Sequence, residues 1–257
     1  MKYYAHSKEN APVDEWQTLE EHSDAVAKMA AEFAKPFYSA QWAWWLGELH
    51  DLGKARRSFQ NYLKVSNGLT DDKYDGSDHS HSGVGAVWAY ENFPKHPLKK
   101  VAAYCVAGHH AGLPDWTEGT MPNGSLLIRL ERERDFVREP AVASWIANRN
   151  SLQSPSPPTA LPWEMRYEDI SFWTRMLFSC LTDADFIDTE SVMNSSNASA
   201  RAQYPTLNDL APQFFQALDA KQSSAPVTPV NHIRAEIRAA CEAAADLPCG
   251  LFSLTVP

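Results

Sequence analysis

Thiolate pairs, long apolar runs and an excess of positive charge are all missing from this 257-residue sequence. Its four cysteines, Cys105, Cys180, Cys241 and Cys249, form no C-x-x-C pair, which argues against a disulfide framework and against a thiolate zinc site. No stretch reaches the roughly 18 apolar residues that a membrane span requires. Met1 to Ser7 also lacks the apolar segment of a signal peptide. These absences predict a soluble, cytoplasmic protein with no membrane partner. Lys and Arg number 23 against 32 Asp and Glu, a net charge of −9. No basic field therefore advertises nucleic acid, and such a partner has to be met by a local site. What is present, 44% hydrophobic and 21% charged residues, is an ordinary globular balance with enough apolar material for a full core.

Strand patterning is scarce and helical spacing recurs. Thr18-Leu19-Glu20-Glu21 reads as a capping box, with Leu19, His22, Val26, Met29, Ala30 and Phe33 on one stripe before Pro36. A second helix is expected from Ser39 to Leu52 on Trp42, Trp45, Leu46 and Leu49, closed by Gly53, with His50 and Asp51 on its last turn. Further helices are expected through Phe59 to Leu63, over Ser82 to Phe93 and from Leu98 to His109. Others are expected over Leu126 to Asn148, Tyr167 to Phe186 and Leu207 to Leu218. Asp188 to Pro205 reads as a loop, and the prolines of Ser151 to Pro162 exclude helix there. Trp42, Trp44, Trp45, Trp88 and Trp173 are assigned to the core. After a linker at Ser223 to Pro229 comes a helix over Asn231 to Ala245, and Gly250 to Pro257 is the one convincing strand. A single strand leaves its own backbone groups unpaired. The expected fold class is all-α, a helical bundle with a C-terminal tail ending in that strand.

Nine histidines occur, and His22, His50, His79, His81, His109 and His110 fall at the ends or on the inward faces of expected helices. Asp51 follows His50, and Asp185 shares a face with Phe178 and Leu181. Buried together, such groups are costly unless compensated, and a metal ion compensates them. Imidazole with carboxylate and no thiolate suits Mn, Fe, Co, Ni or Zn better than Ca. One or two such ions acidify water and clamp phosphoryl oxygens, so phosphoester hydrolysis is the natural reaction.

The order His22, His50-Asp51, a further histidine, His109-His110 and a late aspartate resembles the HD superfamily of metal-dependent phosphohydrolases. The fuller set resembles the HD nuclease domain of the CRISPR-associated type I helicase-nuclease. That set comprises Tyr4-Ala5-His6-Ser7, Trp16 with Leu19 and Glu21-His22, Gly47-Glu48-Leu49-His50-Asp51-Leu52-Gly53-Lys54 and Phe59-Gln60-Asn61-Tyr62-Leu63. It continues with His81-Ser82 ahead of Gly85-Ala86, Gly108-His109-His110 and Leu181-Thr182-Asp183-Ala184-Asp185. The resemblance implies an HD-domain bundle in which Asp51 bridges two metals. His22, His50 and Asp185 would hold one, and His81, His109 and His110 the other. The ions would be one or two divalent transition metals, Mn, Co, Ni or Fe, with Mg or Zn as alternatives. Asp51 and Lys54 would carry the catalysis. His81 is chosen over His79 for its spacing to Gly85-Ala86, and Asp185 over Asp183 for the bulky residue that follows; His6, His96 and His232 receive no metal role.

The same resemblance divides the chain into a nuclease domain over residues 1–222 and a tail over 223–257, the latter being the start of a truncated helicase domain. Asn231 to Arg234 and the final strand carry that inference. It implies a DNA endonuclease or exonuclease acting on single-stranded DNA. Its partners would be the helicase domain of the same longer chain and an RNA-guided CRISPR surveillance complex. Trp116, Lys54, Arg56 and Arg57 would line the strand's path. Two other readings stay open: an HD phosphohydrolase of nucleotides or cyclic nucleotides, and a regulatory or binding module with a structural metal.

Overall fold

Thr18 opens the first helix by accepting from the Glu21 backbone N–H, while the Glu21 carboxylate accepts from the Thr18 N–H at 2.9 Å. Two donors that a helix start leaves free are thereby satisfied. α1 (Leu19–Ala34) buries Leu19, His22, Val26, Ala30 and Ala34 along one face. It ends where Lys35 to Phe37 tighten into a 3-10 turn and Tyr38 adopts a left-handed conformation at φ 57°. This computed structural model describes residues 2–8, 11–70, 79–92, 98–117, 125–149, 152, 166–201, 203–248, 250 and 252–254.

Among those residues the helices continue with α2 (Ala40–Leu49), α3 (Arg57–Ser66), α4 (Ser82–Asn92) and α5 (Lys99–Gly108). They are followed by α6 (Leu126–Glu133), α7 (Pro140–Asn148), α8 (Tyr167–Met193), α9 (Ser195–Arg201), α10 (Leu207–Ser223) and α11 (Pro229–Ala245). The fold is all-α apart from an antiparallel ribbon in which β1 (Tyr4–His6) pairs with β2 (Gln17–Thr18). Two compact units result, residues 1–199 and 200–257.

In the first unit α1 packs on α2 and α8, α4 packs on α5, and α5 packs on α8. Trp42 and Trp173 meet edge to face at 5.2 Å in the core, and the Trp173 indole donates to Ser39 Oγ at 2.8 Å, which gives the polar end of a buried ring its partner. Gln60, from α3, reads the ribbon: its carbonyl accepts from the Tyr4 N–H at 3.0 Å, and its amide donates to the Tyr4 and Lys54 carbonyls at 2.9 and 2.7 Å. His6 is thereby held beside the turn that carries His50 and Asp51. The second unit starts α10 with a second capping box, Thr206 with Asp209, and ties α10 to α11 through Arg238, which pairs with Asp219 at 2.6 Å.

Several sequence expectations are corrected. The second helix stops at Leu49, and Leu52–Ala55 form a 3-10 turn. The helix expected over Leu126 to Asn148 is broken by a 3-10 segment, Arg134–Arg138, because Pro140 has no N–H to continue it and instead starts α7. The loop expected over Asp188 to Pro205 is helical through Met193 and again over Ser195–Arg201. Apolar periodicity fell silent there because inward positions of α8 carry polar groups. Trp44 is 38% exposed rather than core. No strand forms at Gly250 or Phe252–Leu254, where no second strand among the described residues offers a partner for the backbone. Leu251 and Thr255–Pro257 lie outside the described residues, as do His96 and most of Ser151 to Pro162.

α4 crosses the end of α2 so closely that a Cβ at Gly85 would run into the Leu49 carbonyl oxygen. Overfilling a packed interior costs about 1–3 kcal/mol and more where backbone is struck. Gly85→Ala is therefore expected to lower unfolding free energy by at least that amount in urea titration. A variant as stable as the wild type would show that the two helices do not approach in this way.

Candidate metal centre

Helix ends deliver the polar cluster. His22 comes from the second turn of α1, His50 and Asp51 from the turn after α2, and Lys54 from the 3-10 turn. His81 stands just before α4, His109 and His110 just after α5, and Asp185 two-thirds along α8. A Cβ at Gly53 would collide with the backbone of His81, so glycine is what lets the start of α4 rest on the His-Asp turn.

Asp51 is the centre, 1% exposed. Its Oδ2 lies 3.1 Å from His22 Nε2, 3.3 Å from His50 Nε2 and 2.7 Å from Lys54 Nζ. Its Oδ1 lies 3.5 Å from His81 Nε2 and 3.6 Å from His109 Nε2. Asp185 Oδ1 approaches His22 Nε2 at 3.3 Å and His50 Nε2 at 3.8 Å. Two groups able to hold a metal emerge and share Asp51: Asp51 with His81, His109 and His110, and Asp51 with His6, His22 and Asp185. His50 adjoins the second, its Nε2 being 3.2 Å from that of His22.

The outer ring nitrogens fix the inner ones. Nδ1 of His50 meets the Gly47 carbonyl at 2.7 Å, that of His109 the Val106 carbonyl at 2.6 Å, and that of His81 the His79 carbonyl at 3.0 Å. A carbonyl only accepts, so each Nδ1 carries the proton and each Nε2 of a neutral ring turns a lone pair inward. His22 Nδ1 likewise meets Asp188 Oδ2 at 2.7 Å. Among the described residues Asp51 Oδ1 and His109 Nε2 have no hydrogen bond, while Asp51 Oδ2 has the Lys54 ammonium beside it. His81 Nε2 and His110 Nε2, 2.8 Å apart, also converge. Inward ring nitrogens of imidazoles braced from behind, gathered on a buried carboxylate, fit divalent cations, since metal-bound imidazoles carry this outer bracing.

Without a cation the charges reorganise. Burial opposes the protonation of His22 and His50, yet Asp185, Asp188 and Asp51 hold His22 up to about 9, and Asp51 and Asp185 hold His50 up to about 10. Burial works against ionised Asp51 and Asp185 too, but His50 and Lys54 keep the first, and His22 and His50 the second, well below the carboxylate range. Burial and Lys54 push His6 down to about 3. Burial, with Lys54 and His109 adding to it, brings His81 to about 3, and burial with His109 brings His110 to about 4.

Every residue named as a metal-ligand or catalytic candidate from the sequence lies in this cluster, whereas His79 is exposed and stacked on Tyr62, and Asp183 is exposed. Two participants were missed. His6 stacks edge-on against His22 and lies 3.3 Å from both Lys54 Nζ and Thr189 Oγ1; its place in the Tyr4-Ala5-His6-Ser7 motif was the available signal. Asp188, three residues after Asp185, gave only helical spacing as a clue, and the loop reading hid it. Arg56 is buried, ion-paired with Glu139 at 2.8 Å and stacked on Phe136, which removes it from any strand path. Trp116 is half-buried against Tyr90 and Tyr104, under Lys100.

Two measurements probe this geometry. In EDTA the melting temperature is expected to peak near pH 6.5. Below that, unfolding frees His6, His81 and His110 to take up protons they lack when folded. Above it, the stabilisation of charged His22 and His50 is lost as pH climbs towards about 9 and about 10. A melting temperature that rises from pH 7 to 9.5 would contradict the assignment. Asp188→Asn, which unbraces His22, is expected to weaken Mn²⁺ binding about 10–100-fold in calorimetry; unchanged affinity would remove Asp188 from the site.

The family described as "Cas3, HD domain" matches residues 3–164. The matched stretch contains His6, His22, His50, Asp51, Lys54, His81, His109 and His110 and stops short of Asp185 and Asp188. No curated protein matches the chain.

Proposed function

Because the chain belongs to the Cas3 HD-domain family, that of HD-type metal-dependent nucleases of CRISPR systems, we propose that it hydrolyses phosphodiester bonds of single-stranded DNA at the histidine–aspartate cluster. The observation that carries this reading is the division of Asp51, one oxygen turned to His22 and His50 and the other to His81 and His109. Asp51 would be shared between two divalent ions, one that His22, His50 and Asp185 would hold and one that His81, His109 and His110 would hold. Mn, Co, Ni or Fe fit these donors, with Mg or Zn as alternatives. When bound, such ions supply Lewis acidity towards phosphate and lower the pKa of water.

The chain's own residues supply the rest. His22, His50 and His109 have side chains fully shielded from solvent, while His81 is 16% exposed and His110 is exposed. A strand therefore approaches from the His81–His110 side. Lys54, buried beside Asp51, is placed to offset charge growing on a phosphate oxygen. A net charge of −9 gives weak, salt-sensitive DNA binding by this chain alone. In this proposal a helicase part of a longer chain feeds the strand, and an RNA-guided surveillance complex in the cytoplasm delivers the target. No helix among the described residues is long and apolar enough to cross a membrane.

The test is incubation with circular single-stranded DNA, and separately with a nucleotide panel, in Mn²⁺, Co²⁺, Ni²⁺, Mg²⁺ or EDTA. Cutting of the circle with metal, lost in Asp51→Ala, is expected. Lys54→Met is expected to slow cutting about 10²–10³-fold, the cost typical of one lost charge-stabilising donor, with metal uptake unchanged. Nucleotide turnover with an intact circle would replace this reading by a nucleotide phosphohydrolase. Metal-dependent melting without turnover would mark the ions as structural.

A further inference from the structure

Residues flanking His81 are gripped from a helix that supplies nothing to the cluster itself. α6 carries Arg129, whose three nitrogens go to three places. Nη1 donates to the Ala107 carbonyl at 2.7 Å, Nη2 to Ser82 Oγ at 2.5 Å and Nε to Glu133 Oε1 at 3.1 Å. Ala107 is two residues before His109, and its carbonyl is among those that the end of α5 leaves without an intrahelical partner. Ser82 follows His81 directly and begins α4.

We propose that Arg129 is a positioning residue that sets the separation between His81 at the start of α4 and His109 and His110 at the end of α5. This rests on the reading of the cluster as a two-ion centre. The planar fork of a guanidinium holds two acceptors at a fixed spacing, which the single ammonium of lysine does not. Cation and helix ends are matched as well: a positive group suits the carbonyl end of α5.

Glu133 completes the device. It is 1% exposed, takes the Arg129 Nε bond, accepts from Ser80 Oγ at 3.4 Å and lies so near Gly83 that a Cβ there would strike its carboxylate. The carboxylate thus sits by the start of α4, where negative charge is favoured, and offsets the guanidinium. Arg56 adds a grip on the Ser80 carbonyl at 3.3 Å, and Arg129 is hydrogen-bonded to both α4 and the end of α5. The other metal group, on α1, α2 and α8, has none of these contacts.

Calorimetric titration of Mn²⁺ into the whole chain separates the alternatives, with His22→Ala and His110→Ala assigning the two binding events. Arg129→Met is expected to weaken the event lost in His110→Ala by tenfold or more and to leave the other unchanged. Arg129→Lys is expected to behave like Arg129→Met, because restored charge does not restore the fork. Ser82→Ala, a smaller change, is expected to weaken the same event less. Equal weakening of both events, weakening of neither, or full rescue by lysine overturns the inference. Should Arg129→Met fail to fold in EDTA, a Ser82→Ala variant in which the event lost in His110→Ala is unchanged overturns it instead. Wild-type protein that takes up a single ion overturns the two-ion reading and the inference built on it.

Discussion

A buried carboxylate, Asp51, surrounded by nitrogen atoms, is the constraint on which the rest of this structure turns. Removing such a charge from water costs several kcal/mol unless opposite charge replaces the lost solvent. His22, His50 and Lys54 beside one oxygen are that replacement, while His81 and His109 lie beside the other. They reach it from several separate elements, so the fold is arranged to bring helix ends to one point. Ends are the right parts for the task because their unpaired carbonyls also brace the imidazoles, as those of Gly47 and Val106 do.

Small residues and side-chain amides keep this convergence narrow. Glycine at positions 53 and 85 lets backbone meet backbone where α4 crosses the His-Asp turn, and Gln60 fastens the N-terminal ribbon to the same turn through three hydrogen bonds. Exposure rises across the cluster from the shielded His22 and His50 to the open His110. One metal group is therefore built as part of the core and the other faces solvent, a division that suits holding an ion on one side and meeting a polymer on the other.

Much of this was legible in the residues. Capping at Thr18, the apolar stripes of α1, α2, α4 and α5, and the all-helical class follow from local spacing, which side-chain periodicity reports directly. The histidines and aspartates of the cluster stood out because polar groups at inward positions contradict that periodicity. The same contradiction misled the reading after Phe186: α8 continues, but its inward positions carry Asp188 and Thr189, so the apolar signal vanished where the helix lines the site. Pro140 broke the helix that was expected to run unbroken over Leu126 to Asn148.

The sequence by itself determined the helical fold class, the residue types of the cluster and their order along the chain, because propensity, capping and residue chemistry are local properties. Tertiary structure alone decided that His6 and Asp188 join the cluster, that Arg56 is withdrawn into an ion pair and that Asp51 divides its oxygens between two groups. It also decided that Arg129 joins Ser82 to Ala107. Each of these depends on distances between residues far apart in the chain, and those distances are set by how helices pack, which no local pattern records.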